Sequence, residues 1–216
     1  MTTVKNLFLS SLVVLAAAAQ ADLLTLTDGS QAKSGVNIST GAVASINGLA
    51  IPLTTVGSGL RRKVVVFKLE VYVAQLMVDD ASRFVKTEAD ALASLDKVGT
   101  VALRMTFVRD VPATKMATAF QDGFNANAIN SKSTELTEFL AKVGQAGDAK
   151  AGGSLTLLIT RNADGTTAVA YENLKNGTST IQTLVGTQNT MHEIMAIWLG
   201  KPSDKELGEL KAEMLK

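Results

Sequence analysis

The stretch that decides the fold runs from Gly59 to Asp80, GLRRKVVVFKLEVYVAQLMVDD. It opens on three cations, Arg61, Arg62 and Lys63, continues through an apolar stripe carrying one tyrosine, Tyr72, and ends on two aspartates. Four readings compete: a membrane segment, a nucleic-acid-binding strand, plain sheet core, or the wall of a ligand pocket. Charges at Lys68 and Glu70 interrupt it too often for a bilayer span, which needs roughly 20 mainly apolar residues. Val64 to Val78 suits one long strand, or two strands meeting at a bend. Alternate residues of a strand share a face. Val65, Phe67, Leu69, Val71 and Val73 therefore fall together, opposite Val66, Lys68, Glu70, Tyr72 and Ala74. On that parity Tyr72 points away from the main apolar stripe, into a more mixed environment.

Charge removes the nucleic-acid reading. The chain has 21 basic and 20 acidic residues and one histidine. A nucleic-acid surface requires a strong positive field, and this chain has no such excess. Its N-terminus reads as an address. Lys5 precedes Leu7 to Ala19, a largely apolar run of 13 residues, and Ala19-Gln20-Ala21 has the small-x-small form of a cleavage site. That run is too short to span a bilayer, so residues 1–21 are expected to be a signal peptide removed before Asp22. The expected product is a single domain over residues 22–216, soluble and without a stable membrane span. With no cysteine there is no lipid attachment at a lipobox, and no disulfide scaffold, zinc–thiolate site or cysteine nucleophile. An exported, cysteine-free chain of this size points to a periplasm.

No repeat or low-complexity tract divides the mature chain. The first part is short-stranded, with Asp28-Gly29 and Asn47-Gly48 as tight-turn signals. A helix is predicted within Asp80 to Leu95, capped by Asp80 or Ser82. Val101, Leu103, Met105 and Phe107 alternate against Ala102, Arg104 and Thr106 as a strand. After Pro112, the residues Met116, Ala119, Phe120, Gly123, Phe124 and Asn127 recur at helical spacing. Ser133 is placed to cap a helix running to Val143. SLTLLITR-NADG-TTAVAYEN, Ser154 to Asn173, reads as a hairpin with Asp164-Gly165 in its turn. Two helices follow, Thr190 to Leu199 and Ser203 to Leu215, the second with Ser203 and Glu206 at capping-box spacing. Early strands and later blocks of helix predict an α+β fold with a mainly antiparallel sheet.

Chemistry-bearing motifs are few. His192, the lone histidine, has Glu193 beside it, but adjacent helical residues point about 100° apart and no second histidine completes a zinc pair. It reads as structural, and no metal is expected. No G-x-S-x-G elbow or phosphate-binding glycine pattern occurs, and Ala151 to Ser154 is a loop. Glu135 and Glu138 read as solvated helix surface. No catalytic residue is assigned and no cofactor is expected. The basic cluster can be the solvated end of a strand, or one guanidinium can turn inward to take an anion. Arginine suits that task through its planar fork, and such a charge must be paired when buried. Tyr72 is the natural second donor, since a buried tyrosine hydroxyl wants a partner. Arg61 and Tyr72 are an odd number of residues apart, so a bulge or bend must intervene for them to meet. Arg62 has the matching parity and is the alternative.

Three stretches carry a family resemblance. GSGLRRKVVVFKLEVYVAQLMVDD (Gly57 to Asp80) resembles the G-x-G-x-R-x-K…VYxxGLY segment of chalcone-isomerase-like proteins. MTFVRDVPATKMATAFQDGFNAN (Met105 to Asn127) resembles that family's strand, turn and helix. MHEIMAIWLGKPSDKEL (Met191 to Leu207) resembles its C-terminal helix pair. The resemblance implies a large antiparallel sheet covered by a layer of helices, with a ligand cleft between them. It also implies that Arg61 and Tyr72 fall where the fatty-acid-binding branch meets its ligand's carboxylate. The plant isomerase pocket is not reproduced. Tyr72 stands in place of its early threonine, Ile197 in place of its late one, and Phe120 to Asn127 lacks the expected tyrosine. Gln75 and Met77 also depart from the Gly and Tyr of VYxxGLY. The resemblance therefore favours non-enzymatic binding of a fatty acid or similar amphipathic carboxylate. An isomerase or lyase acting on a small enone is the alternative, and a structural module with a closed cleft is the third.

Overall fold

The computed structural model describes residues 22–216 apart from Asn47 and Val65. The predicted signal segment lies outside the described residues. Eight strands form one antiparallel sheet: β1 (Leu24–Thr27), β4 (Gly41–Ile46), β5 (Leu49–Val64), β6 (Lys68–Val78), β7 (Thr100–Phe107), β8 (Ser154–Arg161), β9 (Thr167–Lys175) and β10 (Thr178–Gly186), in that spatial order. From β4 onward each strand pairs with the next in sequence. A separate small hairpin joins β2 (Gln31–Lys33) to β3 (Val36–Ile38). The helices are α1 (Ala91–Ser94), α2 (Ala113–Ala126), α3 (Thr134–Ala146), α4 (Thr190–Leu199) and α5 (Lys205–Met214). This is the expected α+β architecture, an antiparallel sheet with helices against one face.

The helical face holds the main core. Leu76, Leu103, Met105, Leu155, Leu157 and Tyr171 from the strands meet Phe124, Phe139, Ile194 and Trp198 from the helices, all essentially inaccessible. α4 is apolar nearly all round, as a helix buried between sheet and neighbours must be. A smaller apolar cluster covers the other face, where Leu23, Leu24, Ala42, Ala44 and Leu53 meet Met77, Ala102 and Leu158. α5 lies directly on β5, and Gly57 and Gly59 permit that approach. A side-chain carbon at Gly59 would sit 2.7 Å from the Leu210 carbonyl, and one at Gly57 would overlap the carbonyl of Met214. Among the described residues no helix is long and apolar enough to cross a membrane.

Several sequence expectations change. Val64 to Val78 is not one strand: the chain reverses between β5 and β6, making a long hairpin. Asp28-Gly29 does not close a hairpin, because β1 pairs with β4. The local hairpin turns instead at Ser34 and Gly35, both with positive φ. The helix expected over Asp80 to Leu95 is broken into a 3-10 turn, Ala81–Arg83, and the single turn of α1. Asp80 accepts from the Ser82 amide, and Thr87 accepts from the Asp90 amide. Each side chain closes its own short turn and so competes with a continuous helix. β10 was not anticipated. It follows the Asn176-Gly177 turn, whose two positive φ values suit a two-residue hairpin.

Candidate functional site

β5 and β6 pair antiparallel, and Arg61 is the direct cross-strand partner of Tyr72. The register slips by one at this point, with Arg61 opposite Tyr72 but Arg62 opposite Glu70, leaving Val71 as the extra residue of a β-bulge. The required bulge is therefore present, combined with a chain reversal. The bulge is held from the other side, where the Val108 amide donates to the Val71 carbonyl at 3.0 Å. Tyr72 lies on the helical face with Ala74, Leu76 and Val78, while Val73, Gln75 and Met77 face the other way. This reverses the expected orientation of Tyr72, and the bulge breaks the parity grouping: Val71, expected on the opposite face, packs against the same core and lines the same cleft.

Arg61 and Tyr72 both border a cleft of about 340 Å³ between sheet and helices. Its walls are Met105 and Phe107 from β7, Leu155 from β8, Met116, Ala119 and Phe120 from α2, Ile197 and Trp198 from α4, and Leu207 from α5. Ala119 belongs to the apolar stripe of α2 yet remains exposed, because it lines this opening. Arg62 does not line the cleft. It pairs with Glu213 at 2.8 Å.

The Arg61 guanidinium makes a two-pronged contact with Asp204, 2.8 Å to Oδ1 and 2.6 Å to Oδ2. Lys63 adds a third bond to the same carboxylate at 3.0 Å. Asp204 Oδ1 also accepts from the Leu207 amide at 2.8 Å, so this residue caps α5. The predicted cap, Ser203, is displaced by one position, because aspartate can cap the helix and also answer the arginine. Burial alone would raise the Asp204 carboxyl. The bonds from Arg61, Leu207 and Lys63 outweigh it and hold the group far below the usual carboxylate range.

Tyr72 is partly buried against Phe107, with ring centroids 5.4 Å apart. Its hydroxyl accepts a hydrogen bond from Trp198 Nε1 at 3.1 Å, and its own proton has no acceptor among the described residues. Burial raises its pKa, offset only in part by Arg61, so the hydroxyl remains a donor across neutral pH. Sequence reasoning missed Asp204 and Trp198 as parts of this site. The signals were the P-S-D start of the last helix and the fact that Trp198 is the chain's one tryptophan.

Asn127 does not enter the cleft. Its amide clamps the α2 end to the α4–α5 joint, donating to the carbonyls of Gly123, Ala196 and Lys201 and accepting from the Lys201 amide. His192 is partly exposed at 3.9 Å from Asp96. No cluster of three metal-ligating side chains occurs among the described residues. A larger, more open hollow of about 840 Å³ lies on the far face of the sheet, lined by Gln75, Arg104 and Thr106.

The sequence model of the chalcone isomerase-like family matches residues 33–216. The chain belongs to the chalcone isomerase-like family. The match takes in nearly all of the described sheet and every helix, so the family fold and the observed architecture agree. Among solved structures the chain is similar to a fatty-acid binding protein of Arabidopsis thaliana. That similarity has a TM-score of 0.49 at 14% identity, over 81% of this chain and 95% of the other. No curated protein matches the chain.

Proposed function

We propose that this chalcone isomerase-like protein binds a fatty acid or a similar amphipathic carboxylate in the cleft between sheet and helices, without turnover. The observation that carries the reading is the pairing of Arg61 with Tyr72 at the edge of an apolar cleft, with the Tyr72 proton unclaimed. The carboxylate takes that proton as a hydrogen bond and lies against the remaining N–H groups of Arg61. Asp204 repels a second carboxylate, but the lining carries three cations, Arg61, Lys63 and Lys115, against two carboxylates, Asp122 and Asp204, a net charge of +1. The tail packs among Met105, Met116, Phe120 and Ile197, gaining about 0.8 kcal/mol per buried methylene. At about 340 Å³ the cleft lies near the lower end of the roughly 300–1,000 Å³ typical of ligand sites.

Palmitate and methyl palmitate, titrated against the purified protein, test the headgroup site directly. Losing one hydrogen bond to a charged group costs about 1.5–3 kcal/mol, so Tyr72→Phe is expected to weaken palmitate at least tenfold. Arg61→Ala is expected to weaken it further, and methyl palmitate should bind poorly to the unaltered protein. Equal affinity for acid and ester would remove the Arg61–Tyr72 site. We also propose export to a periplasm as a single domain of residues 22–216. N-terminal sequencing of the protein from cell fractions should then begin at Asp22.

A further inference from the structure

We propose that the tip of the β5–β6 hairpin docks on a lipid bilayer and brings the mouth of the cleft against it. At this turn Val64, Val66 and Phe67 are 51%, 90% and 66% exposed, among the most exposed large apolar residues of the described chain. Such residues side by side on one turn mark an interaction site. Lys63 and Lys68 flank the turn, with side chains 53% and 50% exposed. The sequence from Lys63 to Lys68 holds no acid. Each lysine is tied to one carboxylate, Lys63 to the partly buried Asp204 and Lys68 to Glu209. The Lys68–Glu209 pair, with side chains 50% and 34% exposed, is worth little in water, so Lys68 can exchange its partner for a lipid phosphate, while Lys63 still offers N–H donors beyond its bond to Asp204.

The shape of the tip selects the partner. A stable protein interface buries about 800 Å² on each side, more than a turn of a few residues supplies. An apolar point inside a cationic collar fits the boundary between headgroups and acyl chains, with lysine stems following the apolar surface and ammonium groups reaching phosphate. The tip is also continuous with the cleft, because Arg61 and Lys63 border the opening and immediately precede it. Docking would let an amphipathic carboxylate pass between bilayer and cleft with little exposure to water. That transfer step rests on the ligand reading above, whereas docking rests on the tip alone.

Flotation with mixed phosphatidylethanolamine–phosphatidylglycerol vesicles tests the docking. The unaltered protein should float, and Val66→Asp with Phe67→Asp should reduce its partition at least about tenfold, because apolar burial is lost. Lys68→Glu should weaken binding to these vesicles and leave binding to phosphatidylcholine vesicles unchanged. Palmitate affinity measured without vesicles should be the same in all the tip variants, which also verifies that they fold. Equal partition of unaltered and Asp-substituted protein would overturn the docking even with palmitate binding intact. A tip variant that changes only self-association in light scattering would overturn it in favour of a second copy as partner. Failure of palmitate binding with vesicle docking intact would instead sink the ligand reading alone.

Discussion

Along β6 to β9 the residues turned toward the helices are Leu76, Leu103, Met105, Leu155, Leu157 and Tyr171. Their immediate neighbours on the opposite face include Gln75, Arg104, Ser154, Thr156 and Glu172. Pairing sets the polar residues in one row across four strands, Gln75 beside Arg104, Arg104 beside Thr156, Thr156 beside Glu172. The helical face is sealed by volume, through Phe120, Phe124, Phe139 and Trp198. The far face adds individual bonds to its smaller apolar cluster. Gln75 accepts from the Ser39 amide at 2.7 Å, and Glu172 accepts from the Leu23 amide and the Ser179 hydroxyl at 3.2 and 2.7 Å. Arg104 has no ion pair or hydrogen bond among the described residues, and burial pulls its pKa down against the pull of Glu172 and Asp22. Loss of a polar group is therefore expected to cost more on the far face, and loss of volume more on the helical face.

The largest expected effect lies on the helical side. Phe139 is fully buried and touches Phe120, Phe124 and Tyr171, with ring centroids 5.8 to 6.4 Å apart. Phe139→Ala should cost about 3–5 kcal/mol in urea unfolding. A loss below about 1 kcal/mol would mean that this face is not held by packing. On the far side Gln75→Ala strands the buried Ser39 amide and leaves a gap, costing about 2–3 kcal/mol. Gln75→Met keeps the volume and should still lose most of that amount. If Met restores stability, the bond is not what holds β3 against the sheet.

An intermediate effect sits where α5 meets β5. Burial would raise the Glu213 carboxyl, but bonds from Lys33, Arg62 and the Leu60 amide hold it down to about 2. An unfolded glutamate titrates at about 4.3. The folded state therefore gains stability that is complete above about pH 4.3 and is lost as pH falls from there toward 2. With the side chain 23% exposed, about 1–2 kcal/mol is expected after allowing for solvent screening. Glu213→Gln should flatten the acid limb of a stability–pH curve between those values and leave the neutral plateau lower. An unchanged acid limb would reassign the sensitivity to Asp204, whose carboxyl is held lower still.

What the sequence disclosed follows from the range of each interaction. The β7 alternation, the Asp164-Gly165 hairpin and the Ser133 cap are settled within a few residues, and the structure has all three. The meeting of Arg61 with Tyr72 required one bulge, and parity was enough to demand it. Asp204 was out of reach because it is 143 positions from Arg61, and only the landing of α5 on Gly57 and Gly59 unites them. The same landing decides that Tyr72 faces the helices, which no periodicity within β6 contains. β10 was missed because Thr178, Ser179, Thr180, Gln182 and Thr183 give an edge strand little apolar alternation to read.

The smallest effects are the most discriminating between the faces, since each removes a polar atom without changing shape. Thr156 is fully buried at the centre of the polar row, and its hydroxyl has no partner among the described residues. Tyr171, on the helical side, has a buried hydroxyl in the same condition, with burial driving its pKa upward. A buried hydroxyl without a bond costs about 1–3 kcal/mol of desolvation, part of which returns when the group is deleted isosterically. Thr156→Val and Tyr171→Phe should each raise stability by about 1 kcal/mol, or about 2–4 °C in Tm for a chain of this size. A gain at Tyr171 and a loss at Thr156 would mean that the Thr156 hydroxyl takes part in the bonding of the row beside Arg104. Gains at both would show that the Thr156 hydroxyl contributes nothing to the polar row, whose bonds then come from Gln75 and Glu172.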